Sequence, residues 1–290
     1  MASKPKTSNN SAKSVLAREE DGTIQLTLTI PNTLVQAKKE EALKALAEKL
    51  EIPGFRKGKV PPDLAEKRIN KQDLYNEMLG RLLPGVYADS VEEHKLRPIL
   101  APRFEIVSID EENDWTVRAI TCELPVVEVG DYKKYISSTK IWTPAQGSKD
   151  DKKETTKEEK EQKILKAVIH NAKANISKAL IEEEVNHKLA RLVDQTQKLG
   201  LTVEQYLAST RKSLDSLKLE IAEQAEEAIK LELALNQIAN EEKISVSDAE
   251  VTETINVSDQ DQHGISDQQR AMTAGVLKRR KALDRLMSLA

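Results

Sequence analysis

From residue 213 to residue 242 apolar side chains return every three or four positions, at Leu214, Leu217, Ile221, Ala225, Ala228, Leu231, Leu235 and Ile238. That period allows one buried stripe on one long helix, and it predicts that all of these side chains face inward. The rest of the chain is made of similar material. Across 290 residues aromatics make up 3%, while Leu, Ala, Glu and Lys abound and charged residues reach 32%. This mixture suits long amphipathic helices better than a sheet-rich enzyme core. The length fits two domains, and a hydrophobic fraction of 39% can supply a core for each.

The formal net charge is −3 with both signs interspersed, which excludes nucleic-acid binding by bulk electrostatics and leaves only a local contact. Cys122 is the single cysteine, so no internal disulfide forms and a reducing, cytoplasmic setting is expected. No apolar run approaches the roughly 18 residues of a membrane span. The start lacks the apolar stretch of a secretory signal, and its Ser- and Lys-rich, acid-free composition reads as a flexible tail rather than an organelle transit peptide.

Residues 22–30 alternate, with Ile24, Leu26, Leu28 and Ile30 on one face and Gln25, Thr27 and Thr29 on the other, the pattern of a half-buried strand. Thr33 with Gln36 fits a capping box for a helix carrying Leu43, Leu46 and Leu50. A short helix is expected over 62–69 and a longer one over 72–94, with Leu74, Met78, Leu82 and Val86 in a stripe and a kink at Pro84. Residues 103–109 and 115–124 read as a hairpin closed by the acidic turn 110–114. The first part is therefore α+β with an antiparallel sheet, over about 20–135.

From about 137 to 163 the chain is polar and charged apart from Ile141 and Trp142, too poor in apolar area to offset ordering entropy, and residues 136–160 read as a linker. From 161 to 290 the pattern is helical nearly throughout. Ile164, Leu165, Val168 and Ile169 form one stripe; Ser177 opens a helix with Ile181, Val185, Leu189 and Leu192 on one face; Gly200 stands at its C′ position. Thr202 with Gln205, and Ser247 with Glu250, are capping boxes, and Ser266 opens a last helix containing Met272, Val276, Leu277, Leu283 and Met287.

The motif with most chemical content is Ile52-Pro53-Gly54-Phe55-Arg56-Lys57-Gly58-Lys59-Val60-Pro61. Pro and Gly stop a helix here and favour a projecting turn. An exposed Phe55 forgoes roughly 1.5–3 kcal/mol of burial. Beside it Arg56, Lys57 and Lys59 suit phosphate or carboxylate, so the loop fits a partner with both an apolar pocket and negative charge.

Gly54, Phe55, Arg56, Gly58, Lys59 and Pro61 match the G-F-R-x-G-K-x-P signature of bacterial trigger factor, and the chain resembles that family. The 124–132 stretch, residues 176–181, 200–207 and 244–248, taken in order, are similar to the family's exit from its N-terminal domain and to its C-terminal domain. The resemblance implies an α+β ribosome-binding domain followed by an all-α chaperone domain with helical arms. It implies that Phe55, Arg56 and Lys57 dock on the large ribosomal subunit near the exit tunnel, on protein and rRNA, with Gly54, Gly58, Lys59 and Pro61 in the same ribosome-binding loop. It also implies nascent or unfolded polypeptides as clients, and it allows a homodimer of the free protein.

The sequence departs from the family where a prolyl isomerase domain of the FK506-binding type ordinarily follows. The 136–160 segment is too short for one, so absence of isomerase activity is expected. The alternatives are a folding enzyme that still isomerises X-Pro bonds, and a helical adaptor that turns the basic loop to another acidic partner. His94, His170, His187 and His263 lie at no metal-ligand spacing, Cys122 reads as a small buried residue, and no phosphate loop, HExxH or GxSxG is present. No catalytic, metal or cofactor site and no membrane partner is expected. Met272 and Met287 are the candidates for client contact, since a flexible thioether adapts to varied partners, while the client face itself stays unassigned.

Overall fold

The computed structural model describes residues 12–50, 64, 67–110, 112–138, 157–258 and 266–289. The chain divides into two compact units, Met1–Leu124 and Pro125–Ala290.

The first unit contains β1 (Lys13–Arg18), β2 (Thr23–Ile30), α1 (Asn32–Lys49), α2 (Lys71–Glu93), β3 (Arg103–Ser108) and β4 (Trp115–Cys122). Its strands form an antiparallel sheet in the order β1-β2-β4-β3. The alternation of β2 comes out as read, with Ile24, Leu26, Leu28 and Ile30 fully buried beside Trp115, Val117 and Ala119 of β4. Leu74, Met78, Leu82 and Val86 of α2 close the other side of this core, and α2 runs unbroken through Pro84. The expected hairpin is present as β3 and β4, with a register shift between Ile106 and Ser108.

Three expectations for this unit need correction. The start is not all tail: Lys13–Arg18 pairs with β2 from Lys13↔Thr29 to Arg18↔Ile24, because the edge of β2 offers a ladder of unpaired backbone groups. Arg18 is held by Glu123 at 2.8 Å, and Glu123 also accepts the Arg97 backbone N–H at 2.7 Å. Those two donors, Arg97 first, hold the Glu123 carboxyl below its ordinary pKa. Secondly, Thr33 does not cap α1. The N-cap is Pro31, with no side-chain cap, and the Asn32 N–H donates instead to Asp114 Oδ1 at 3.0 Å from the β3–β4 turn. Thirdly, Val35 and Ala42 are the buried residues of α1, while Leu43 and Leu46 pack at the margin.

The second unit contains β5 (Val127–Glu128), α3 (Tyr132–Ser138), α4 (Lys157–Asn171), β6 (Lys173–Ala174), α5 (Lys178–Lys198), α6 (Val203–Thr210), α7 (Leu214–Glu241), α8 (Asp248–Ser258) and α9 (Asp267–Met287). It is helical apart from the two-residue β5–β6 ladder. Its core joins Val129, Tyr132 and Ile136 to Ile164 and Val168 of α4, Leu235 and Ile238 of α7, and Ala282 and Leu286 of α9. The division therefore falls at Leu124/Pro125 rather than near 135, because residues 125–136 bury their apolar side chains among these helices. The expected 136–160 linker is described only at its two ends, Ile136 being 1% exposed and α4 starting at Lys157.

Helix termini in this unit follow the capping signals. Thr202 and Gln205 form a reciprocal box, as do Ser266 and Gln269, and Ser247 exchanges bonds with Glu250. Gly200, at φ +72°, closes α5 in a Schellman motif, with Leu201 N–H on Thr196 C=O and Gly200 N–H on Gln197 C=O. Gly130 at φ +58° is required for a second reason: a Cβ there would sit 3.2 Å from the Asn171 carbonyl oxygen. On α7 the expected stripe fails at two positions, for Leu214 is 45% exposed and Ala228 is exposed, where no facing element covers them.

Candidate functional site

Two features are the candidates for function, one in each unit. The first is the basic motif at residues 52–61. Gly54, Phe55, Arg56, Lys57, Gly58, Lys59 and Pro61 all lie outside the described residues. The helices that bracket them are described. α1 ends at Lys49 with Leu50 already extended (φ −78°, ψ 133°), and α2 opens at Asn70, whose side chain accepts the Gln72 N–H at 3.0 Å. Both helices pack on each other, and their buried side chains join the core formed with the sheet.

The second surface belongs to α5, α6 and α7. α5 buries only Thr196, so Leu192 and the rest of its stripe are half-buried. Between the three helices lies a recess of about 300 Å³, floored by Leu217 and Ile221 and walled by Leu192 and Tyr206. The nearby chain leaves leucines in solvent: Leu199 is 75% exposed, Leu201 41%, Leu214 45% and Leu219 64%. The electrostatics are one-sided. Lys212 is neutralised by Glu220, whereas Lys188 and Arg191, which line the same recess, make no hydrogen bond or ion pair among the described residues.

Another concavity, about 420 Å³, lies between α4, α7 and α9 and is lined in part by Val276, Leu283 and Met287. The two methionines differ: Met272 is 74% exposed, while Met287 is half-buried against the core. The basic run of α9 is mostly consumed internally. Lys278 reaches Asn240 Oδ1 at 2.7 Å, Arg279 pairs with Glu232 at 2.9 Å, and Lys281 pairs with Glu250 at 2.7 Å. Glu242 likewise ties α3 to α9 through Lys133 and Arg285. Its carboxyl sits below the ordinary range, chiefly because of the Lys133 hydrogen bond.

The remaining reactive side chains have structural partners. Cys122 forms no disulfide and is fully buried. Ser14 Oγ donates to Glu93 at 2.6 Å and lies 2.8 Å from His94 Nε2. With its hydrogen committed to the carboxylate, the hydroxyl accepts from the imidazole, which is therefore not placed as its base. His187 meets Glu183 at 3.0 Å, one turn away on α5, and His170 stacks near Tyr135 at 5.8 Å. His263 lies outside the described residues. Among the described residues no group of three His, Cys, Asp or Glu could hold a metal, and no helix is long and apolar enough to cross a membrane.

The unpaired Lys188 and Arg191 at the recess, and the leucines left exposed on the α5–α7 segment, are the features that sequence reading misses. Charged residues on a helix look like an ordinary solvated face until the absence of a partner is visible.

Comparison with known proteins finds two family models in order along the chain, the first of which runs past the Leu124/Pro125 division. The sequence model of the bacterial trigger factor protein matches residues 13–158, and that of the trigger factor C-terminus matches residues 146–286. The trigger factor of Staphylococcus epidermidis is 34% identical over 108 residues, and that of Staphylococcus aureus 33% over the same length. Each match covers 37% of this chain and 25% of the relative. A solved structure, from work on promiscuous substrate recognition in the folding and assembly activities of the trigger factor chaperone, superposes with a TM-score of 0.64 at 15% identity, covering 95% of this chain and 99% of that one. With both sequence models matched in order along its length, the chain belongs to the bacterial trigger factor family.

Proposed function

We propose that this protein is an ATP-independent molecular chaperone of the cytoplasm that docks at the ribosomal exit site and shields unfolded polypeptide from aggregation. Phe55, Arg56 and Lys57 supply the ribosome anchor, with Gly54, Gly58, Lys59 and Pro61 shaping their loop. The α5–α7 surface of the second unit supplies the client contact. One observation carries this reading: a family member with the complete docking signature leaves Leu199, Leu201, Leu214 and Leu219 exposed on the α5–α7 segment, which also holds a recess with an apolar floor. Weak, dispersed apolar contacts suit a client that has to leave without an energy source, and the anchor keeps the chaperone at high effective concentration near emerging chains.

We read the chain as having no isomerase chemistry. That reading is supported by the two family matches, which overlap over residues 146–158 and so leave no intervening segment for a further domain. Two assays test the proposal. The protein should suppress aggregation of a denatured client without nucleotide, and it should co-sediment with ribosomes until Phe55, Arg56 and Lys57 are changed to Ala. Ribosome binding that survives the triple change removes the anchor. Faster proline-limited refolding at catalytic amounts of protein restores the enzyme alternative.

A further inference from the structure

We propose that the recess between α5, α6 and α7 selects apolar segments of unfolded chains that carry an acidic side chain next to the apolar run. The inference rests on the chaperone reading above and narrows its client class.

The floor of the recess, Leu217 and Ile221, is almost wholly buried at 6% and 8% exposure, and Leu192 and Tyr206 form its walls. A volume of about 300 Å³ takes a short run of aliphatic side chains rather than a folded surface. Lys188 and Arg191 stand three residues apart on α5, hence on one face, and both border that apolar floor. Lys212 borders it too, but Glu220 already neutralises it. Two positive charges therefore remain without a protein counterion among the described residues. A neutral segment entering the recess leaves them unanswered, a basic one adds repulsion, and an acidic one supplies the counterion, with the planar Arg191 fork able to take a carboxylate through two bonds.

The recess between α4, α7 and α9 provides the internal contrast. There Arg279 is already paired with Glu232, and Arg280 shares the lining with Glu161 and Asp284, so no excess of positive charge faces an entering segment. The selectivity of the α5–α7 recess is graded, since both cations are at its rim and partly in solvent, where a single ion pair changes affinity only severalfold.

The test uses labelled short peptides that share one Leu-rich core and are flanked by Asp, Ser or Lys, with binding to the full chain followed by fluorescence anisotropy. The Asp-flanked peptide should bind about tenfold more tightly than the Lys-flanked one at low salt, and added salt should compress the difference. In the double variant Lys188→Gln, Arg191→Gln the three affinities should converge to within about twofold, near the value of the Ser-flanked peptide in the unmodified protein. Circular dichroism confirms that the variant is folded. Equal affinities in the unmodified protein, or a preference that survives the double change, overturns the inference. Suppression of client aggregation is measured in parallel: its retention with no charge preference overturns the inference alone, and its loss in the unmodified protein overturns the chaperone reading as well.

Discussion

Lys281 Nζ lies 2.7 Å from Glu250 Oε1, joining α9 to the first turn of α8. The same carboxylate accepts the Ser247 backbone N–H at 2.9 Å, so it serves as helix cap and counterion together. These contacts, the Lys281 hydrogen bond first, lower the Glu250 pKa from 4.5 to about 2. A folded-state pKa below the unfolded value gives stability that is complete above the unfolded pKa and is lost as pH falls through the folded one. The contribution of this carboxyl should therefore fade between about pH 4.5 and pH 2. Glu250→Gln should be less stable than the unmodified protein at neutral pH, and the gap should close across that window in denaturant titrations. A gap that stays constant with pH means the pair is not coupled to folding.

Asp114 Oδ1 supplies the N-terminal acceptor that α1 lacks, 82 residues along the chain from Asn32. Asp114→Ala should cost about 0.5–2 kcal/mol, the usual range for loss of a helix N-cap. Asp114→Asn, which keeps an oxygen acceptor, should lose less. Equal losses in the two variants would show that turn conformation rather than helix capping is at stake.

Lys95 and Lys243 sit at φ +53° and +54°, each just past the end of a helix. The following residue closes a Schellman bond in both cases, Leu96 N–H to Val91 C=O at 3.0 Å and Ile244 N–H to Ala239 C=O at 2.9 Å. A Cβ is disfavoured in this conformation, although glycine also loses more freedom on folding. Lys95→Gly and Lys243→Gly should each stabilise by about 0.5–1 kcal/mol, whereas a β-branched residue at either position should destabilise. A midpoint lowered by both glycines would contradict the strain argument.

What the sequence reveals of this fold depends on how local the cause is. β2 is legible because its own alternation decides its faces, and α5 is legible at its end because Gly200 alone supplies the left-handed cap. β1 is not, for Lys13–Arg18 is short, its apolar Val15, Leu16 and Ala17 form a run rather than an alternation, and it becomes a strand only beside the open edge of β2. Thr33 misleads because its spacing from Gln36 imitates a cap whose real acceptor lies in a distant turn. Periodicity also overstates burial at Leu214 and Ala228, since a stripe marks which face could pack without marking where the packing partner ends. The basic run at residues 52–61 is legible purely as a motif. The recess with Lys188 and Arg191 needs three helices brought together before its unbalanced charge can be seen.

The boundary at Leu124/Pro125 leads to a fragment experiment. Val129, Tyr132 and Ile136 are 6%, 3% and 1% exposed within the helical core, and Val127–Glu128 pairs with Lys173–Ala174. Tyr132 and Lys133 both contact Glu242, at the end of α7. Each of the three apolar side chains is worth roughly 1.5–3 kcal/mol of burial, a sum comparable to the total stability of about 5–15 kcal/mol typical of a domain. A fragment of residues 125–290 should unfold cooperatively. One beginning at 161, where composition alone would start the helical domain, should lose most of that cooperativity and bind a hydrophobic dye. Matching thermal transitions for the two fragments would return residues 125–136 to the first unit.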